Sequence, residues 1–94
     1  MDKIYCVIVY WQPHNSDSGC DCVLFSTLSG AKEWLAQNVK DTIEEYTKVD
    51  DNGYQYCTEM EYVKYNEDRT SCSLLTERED YMNWSIRIKS VDKE

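Results

Sequence analysis

The chain contains little glycine, less proline and no long apolar run. Three Gly and one Pro in 94 residues are too few for a collagen-like chain or a flexible linker. No apolar stretch approaches the roughly 20 residues that a transmembrane helix needs, so we expect no membrane contact. The opening Met1-Asp2-Lys3 leads straight into a strand-like run and lacks a signal-peptide pattern, which favours a cytoplasmic protein.

Basic residues are also scarce, since 10 Lys and Arg stand against 18 Asp and Glu for a formal net charge of −8. Phosphate contacts need clustered Lys and Arg, so this balance argues against direct binding to nucleic acid. The excess lies in residues 41–80, which hold twelve acids and four bases. Such a segment either keeps the chain in solution or forms an acidic surface for a basic partner.

The remaining composition predicts a globular protein, because 41% of the residues are hydrophobic and 13% are aromatic. We expect a single domain over residues 1–94. Alternating and helical apolar spacings predict its elements. They are strands at 3–11 and 20–25, a helix at about 27–46 with Ser26 or Ser29 as its N-cap, and strands at 54–65, 70–75 and around 84–89.

These elements predict an α+β two-layer domain in which one long helix covers one face of a mainly antiparallel sheet (β-β-α-β-β-β). The expected core comprises Trp34, Leu35, Val39, Ile43, Ile86 and Ile88. The first strand is apolar on both faces, whereas a single helix covers only one. The late strands, a second copy of the chain or a partner must therefore cover the other face.

The first half of the chain resembles small uncharacterised proteins of bacteriophages and mobile elements. The resemblance lies in the run KIYCVIVYW at Lys3–Trp11 and in Val23–Thr27 leading into Ala31–Leu35. It implies a ββαβ arrangement and no fixed chemistry. In size and charge alone, the chain is also similar to anti-CRISPR proteins, which are host-defence inhibitors that imitate the charge of nucleic acid.

The five cysteines are expected to be free thiols, because their number is odd and no secretory signal precedes them. His14, Cys20 and Cys22 could offer zinc one nitrogen and two sulfurs. A structural zinc site takes four ligands, and a fourth is missing unless Cys6, Cys57 or Cys72 supplies it. We therefore expect neither a disulfide nor a stoichiometric metal or other cofactor.

The leading hypothesis is a non-enzymatic, phage-encoded inhibitor that presents carboxylates to a basic surface of a host nucleic-acid-binding complex of CRISPR type. The candidate partner-binding residues are Asp41, Glu44, Glu45, Asp50, Asp51, Glu59, Glu61, Glu67 and Asp68. No catalytic residue is expected, because no Gly-rich phosphate loop or nucleophile elbow occurs. One alternative is a self-associating structural protein that forms a homodimer, and another is a small zinc- or thiol-dependent regulator.

Overall fold

A computed structural model describes residues 2–14, 16–47 and 58–91 of the chain. The elements are β1 (Asp2–Gln12), β2 (Gly19–Phe25), α1 (Leu28–Thr47), β3 (Met60–Tyr65), β4 (Ser71–Thr76) and β5 (Tyr81–Val91). Within the described residues they form a five-stranded antiparallel sheet with one helix. The predicted small α+β fold is thereby confirmed. That helix is not long and apolar enough to cross a membrane.

The strands lie in the order β2-β1-β5-β4-β3, and every neighbouring pair is antiparallel. The first and last strands therefore pair at the centre, from Asp2 opposite Val91 to Gln12 opposite Tyr81. The later strands β3, β4 and β5 lie side by side with β1 and β2 in one sheet. They do not fold back over it, so they do not cover the second face of β1.

The core lies between α1 and the face of the sheet that carries the odd-numbered side chains of β1. Register places Val9 of β1, Trp84 of β5 and Cys72 of β4 in one row across this face. The fully or nearly fully buried apolar residues are Val7, Val9, Ala31, Leu35, Val39, Cys72, Leu74 and Trp84. Removing such side chains from water is the main source of stability in a domain of this size.

The structure corrects part of the predicted core. Trp34, Ile43 and Ile86 pack against the core but are only partly buried, and Ile88 is 60% exposed. Ile88 lies opposite Tyr5, which in turn lies opposite Phe25 at the end of β2. At this level Trp34 of α1 packs against Phe25 of β2, and Ile88 lies two strands away on β5, where it stays exposed.

Two predicted element boundaries also differ from the structure. Thr27 caps the helix, because its Oγ1 accepts a hydrogen bond from the Gly30 N–H at 3.1 Å. The predicted caps, Ser26 and Ser29, therefore flank the actual one. The strand expected at 54–65 is observed only as Met60–Tyr65, and its first residues lie outside the described chain.

The start of β2 depends on a glycine. Gly19 lies opposite Trp11 of β1, and the Trp11 indole passes over its Cα. A Cβ at residue 19 would lie 2.6 Å from Cε2 and Cζ2 of that ring. Glycine therefore provides the space in which Trp11 packs across the end of the strand pair.

The opposite side of the sheet, here called the open face, carries the even-numbered side chains of β1. Register places on it Ile4, Cys6, Ile8, Tyr10, Gln12, Cys20, Cys22, Leu24, Tyr62, Lys64, Ser71, Ser73, Leu75, Tyr81, Asn83, Ser85, Arg87 and Lys89. Leu24 is 65% exposed and Tyr10 is 37% exposed. Among the described residues, no second helix covers this face.

Candidate functional site

The predicted partner-binding carboxylates occupy separate parts of the molecule. Asp41, Glu44 and Glu45 are exposed on α1, while Glu59 and Glu61 are exposed at the start of β3. Glu67 and Asp68 lie in the turn between β3 and β4, at the other end of β3. Asp50 and Asp51 lie outside the described residues.

The end of α1 is joined to the segment that precedes β3. The backbone N–H of Thr58 donates to the carbonyl of Tyr46 at 3.1 Å, and Thr58 is buried. Glu59 follows, and its N–H donates to Oε1 of Glu77 at 3.3 Å. The Glu77 N–H donates in return to the Glu59 carbonyl at 2.9 Å. The end of α1, the segment before β3 and the residue that follows β4 are therefore linked by hydrogen bonds, and each of them carries glutamates.

The turn between β4 and β5 is fixed by a buried threonine. Thr76 Oγ1 donates to Oδ2 of Asp80 at 3.0 Å and accepts from the Asp80 N–H at 3.0 Å. Oδ1 of Asp80 accepts from the backbone N–H of His14 at 3.0 Å. In addition, Nδ1 of His14 lies 3.4 Å from a carboxylate oxygen of Glu79. The turn and the β1–β2 loop thus hold each other in place.

We define the acidic end as the six residues Glu44, Glu45, Glu59, Glu77, Glu79 and Asp80. The sequence-based candidates omitted the last three, although all three lie within the acidic segment 41–80. In the sequence, only the high number of acidic residues in that segment indicated these three. Glu77 is hydrogen-bonded to Glu59 and the charge of Asp80 acts on Tyr46 of α1, and both contacts join residues that are far apart in the chain.

The acidic end places negative charge where the helix disfavours it. The last turn of α1 contains no basic residue, yet it contains Glu44 and Glu45. A helix C-terminus carries a partial negative charge, so these carboxylates reduce helix stability. The pKa of Tyr46 is raised, first by its burial and then by the negative charges of Asp80 and Glu45.

Glu79 has an unfavourable backbone conformation. Its φ is 68°, in the left-handed region that glycine adopts readily and a glutamate does not. Replacing Glu79 with Gly should therefore raise the free energy of unfolding by about 1 kcal/mol, measured by urea denaturation. The exposed contact with His14 is worth little by comparison.

Arg78→Gly is the matched control for this prediction. Arg78 is the preceding residue in the same turn, and its φ is not positive. Glycine there adds backbone freedom to the unfolded chain without relieving the folded one, so stability should fall. A loss of stability in Glu79→Gly as large as that in Arg78→Gly would contradict the prediction.

Glu67 and Asp68 lie in the β3–β4 turn, and Asp68 stabilises that turn. Thr70 Oγ1 donates to Oδ1 of Asp68 at 2.7 Å, and this hydrogen bond is the main reason that the Asp68 pKa is lowered. The guanidinium of Arg69 lies 4.6 Å from the centroid of the Tyr65 ring. This turn therefore does not contribute carboxylates to the acidic end.

The structure overturns the expectation that all cysteines are free. Cys6 and Cys22 form a disulfide, with their Cα atoms 6.3 Å apart. Among the described cysteines, Cys20 is a free, exposed thiol and Cys72 is a free, buried one. Cys57 lies outside the described residues.

The disulfide also corrects the zinc hypothesis. The sulfur of Cys22 is bonded to Cys6, so His14, Cys20 and Cys22 do not offer three free ligands. His14 is instead directed to the β4–β5 turn by its contacts with Glu79 and Asp80. Within residues 2–14, 16–47 and 58–91, no group of three or more His, Cys, Asp or Glu side chains is arranged to hold a metal.

The open face has the opposite charge to the acidic end. It carries Lys64, Arg87 and Lys89, all exposed, and its described side chains include no carboxylate. Nζ of Lys64 lies 5.0 Å from the centroid of the Tyr62 ring. The open face therefore carries three of the described bases, whereas Arg78 lies in the β4–β5 turn between Glu77 and Glu79.

Comparison with known proteins found no match to a family model, a curated protein or a solved structure.

Proposed function

We propose that this protein is a non-enzymatic inhibitor, encoded by a phage and acting in the host cytoplasm, that binds a basic surface of a nucleic-acid-binding complex of CRISPR type. The acidic end is the binding surface and imitates the charge of nucleic acid. One observation carries the proposal: hydrogen bonds link the segment before β3 to the end of α1 and to Glu77, the charges of Asp80 and Glu45 both act on Tyr46, and Glu44 and Glu45 oppose the helix dipole.

The chemistry of the acidic end fits a partner that normally holds phosphates. Lys and Arg side chains form short, charge-assisted hydrogen bonds with carboxylates as they do with phosphates. The carbonyls at the end of α1 add their partial negative charge to that of Glu44 and Glu45. The combined field attracts a basic surface and accelerates its association.

The acidic end is also held in shape before any partner arrives. Asp80 is fixed by Thr76 and by the backbone of His14, and Glu59 is paired with Glu77. Groups that are already ordered lose less conformational entropy on binding. A fixed arrangement therefore supports docking more strongly than the same number of carboxylates on a flexible segment.

The test uses the double variant Glu44→Lys/Glu45→Lys and a purified CRISPR-type effector complex. We expect its affinity for the effector to fall at least about tenfold, and inhibition of target-DNA binding to be lost. The same substitutions place cations at the helix C-terminus, which should stabilise the fold by about 0.3–1 kcal/mol each. A loss of binding would therefore not result from unfolding.

The matched control is Glu33→Lys/Glu67→Lys. Both residues are exposed, and the change in net charge is the same, but neither belongs to the acidic end. The control should bind nearly as well as the native chain, and native binding should weaken as salt rises past roughly 0.15 M. Equal weakening in both double variants, or no binding of the native chain at low salt, would contradict the proposal.

A second candidate function is self-association through the open face. The observation that favours it is the exposure of Leu24 and Tyr10 on a sheet face that no described helix covers. Contact between two apolar faces should be strengthened or barely affected by salt. Sedimentation of the protein alone across a salt series separates this candidate from charge-driven binding.

A further inference from the structure

The Cys6–Cys22 disulfide lies on the open face, across the β1–β2 strand pair. Cys6 is opposite Leu24 and Cys22 is opposite Ile8, so the two cysteines are diagonal neighbours. Cys22 is exposed on the edge strand, whereas Cys6 is half-buried on the adjacent inner strand. A molecule approaching from solvent therefore reaches the Cys22 sulfur first. Exposed disulfides are the ones that commonly exchange with thiols.

Two cations lie beside this disulfide. Arg87 of β5 is the register partner of Cys6, and its side chain is exposed on the same face. Paired residues on adjacent antiparallel strands have Cβ atoms about 4.5–5.5 Å apart. Lys89 is two residues further along β5 and shares that face. A guanidinium next to a sulfur stabilises the thiolate, and an ammonium nearby attracts a carboxylate.

We propose that the Cys6–Cys22 disulfide is a thiol–disulfide exchange site for low-molecular-weight thiols that carry carboxylates, such as glutathione. Cys22 is the sulfur that is attacked, Cys6 is the leaving group, and Arg87 with Lys89 binds the anion. The site differs in position and chemistry from the acidic end, and it does not depend on the inhibitor function.

The exchange proceeds in two balanced steps. A thiolate RS⁻ attacks the Cys22 sulfur, the Cys6–Cys22 bond breaks, and Cys6 leaves as a thiolate beside Arg87. The product is the mixed disulfide between R and Cys22. A second RS⁻ attacks the sulfur of R, releasing RSSR and the Cys22 thiolate. Two RSH molecules are thereby oxidised, the protein disulfide is reduced by two electrons, and the two protons pass to Cys6 and Cys22.

The test treats the full native chain with glutathione, traps the reaction with an alkylating agent and maps the modified cysteines by mass spectrometry. We expect opening of the disulfide, with glutathione attached at Cys22 and alkyl label at Cys6. Cys72 serves as an internal control for folding, because burial raises its pKa to about 11 and should keep it unlabelled. A disulfide that stays closed, or glutathione attached at Cys6 instead of Cys22, would overturn the proposal.

The second measurement tests whether the disulfide reacts faster with anionic thiols than with cationic ones. The rate of disulfide opening is measured with mercaptoacetate, 2-mercaptoethanol and cysteamine. Each rate is divided by the rate at which the same thiol reduces a small neutral disulfide. We expect the anionic thiol to exceed the cationic one by at least about threefold, and salt to reduce this ratio. Arg87→Gln/Lys89→Gln should remove the preference while leaving the urea midpoint nearly unchanged.

The matched control here is Lys3→Gln/Lys40→Gln. It removes the same net charge from exposed positions that are not on the open face. This variant should keep the native order of rates. A preference that persists in Arg87→Gln/Lys89→Gln, or disappears equally in the control, would overturn the assignment of the anion to Arg87 and Lys89.

Discussion

Replacing Trp84 with Ala should lower the free energy of unfolding by about 3–5 kcal/mol. Trp84 is fully buried, and it lies near the middle of β5 between Val9 of β1 and Cys72 of β4. Its removal leaves a cavity in the row of the core that α1 covers, and a close-packed interior refills such a space only in part. Total stabilities of 5–15 kcal/mol are usual, so the variant should be largely unfolded at elevated temperature.

Trp34→Ala is the appropriate comparison, and urea denaturation of both variants is the measurement. Trp34 is the same residue type on α1, but it is only partly buried and packs against Phe25 at a ring-centroid distance of 6.0 Å. The loss should therefore be clearly smaller than that for Trp84→Ala. If Trp34→Ala proved the more damaging of the two, Trp84 would not be the residue that α1 buries against the sheet.

Replacing Asn38 with Leu should cost about 1–3 kcal/mol, although Asn38 is only partly buried. The indole Nε1–H of Trp84 donates to Oδ1 of Asn38 at 2.8 Å, which ties the middle of α1 to the centre of the sheet. Leucine cannot accept this hydrogen bond. The indole N–H would then be buried without a partner, and a buried donor that loses its acceptor incurs its full desolvation penalty.

A double-mutant cycle checks this explanation. Trp84→Phe removes the indole N–H, so adding Asn38→Leu to that variant should cost much less than it does in the native chain. The difference between the two costs is the coupling energy of the hydrogen bond. A coupling energy near zero would mean that Asn38 acts through local helix effects and not through Trp84.

Three residues of the acidic end lie where they reduce the stability of the fold. Glu44 and Glu45 oppose the helix dipole, and Glu79 has a left-handed backbone that glycine would adopt more readily. Residues that contradict local preferences are expected mainly where function requires them. Glu79→Gly should therefore be more stable but should also bind the proposed partner less well, as in other trade-offs between stability and function.

The local sequence pattern determined the fold class and most of the element positions. The β-branched and aromatic run of β1 and the helical spacing of α1 are properties of neighbouring residues, so they can be interpreted without knowing the rest of the structure. The acidic segment 41–80 was visible in the same way, as a charge count. These features predicted the two-layer α+β domain and the presence of an acidic surface.

The helical spacing already indicated Leu35 and Val39 as core residues, whereas the tertiary structure alone decided the rest of the core, the disulfide and the place of Glu77, Glu79 and Asp80. The order β2-β1-β5-β4-β3 pairs the first strand with the last, which buries Trp84 and places Arg87 beside Cys6. Register between β1 and β2 brings Cys22 close enough to Cys6 for a bond, and the end of β4 places Glu77 against Glu59, next to the segment that is hydrogen-bonded to α1. Each of these contacts joins residues that are distant in the chain, and local periodicity carries no information about such pairings.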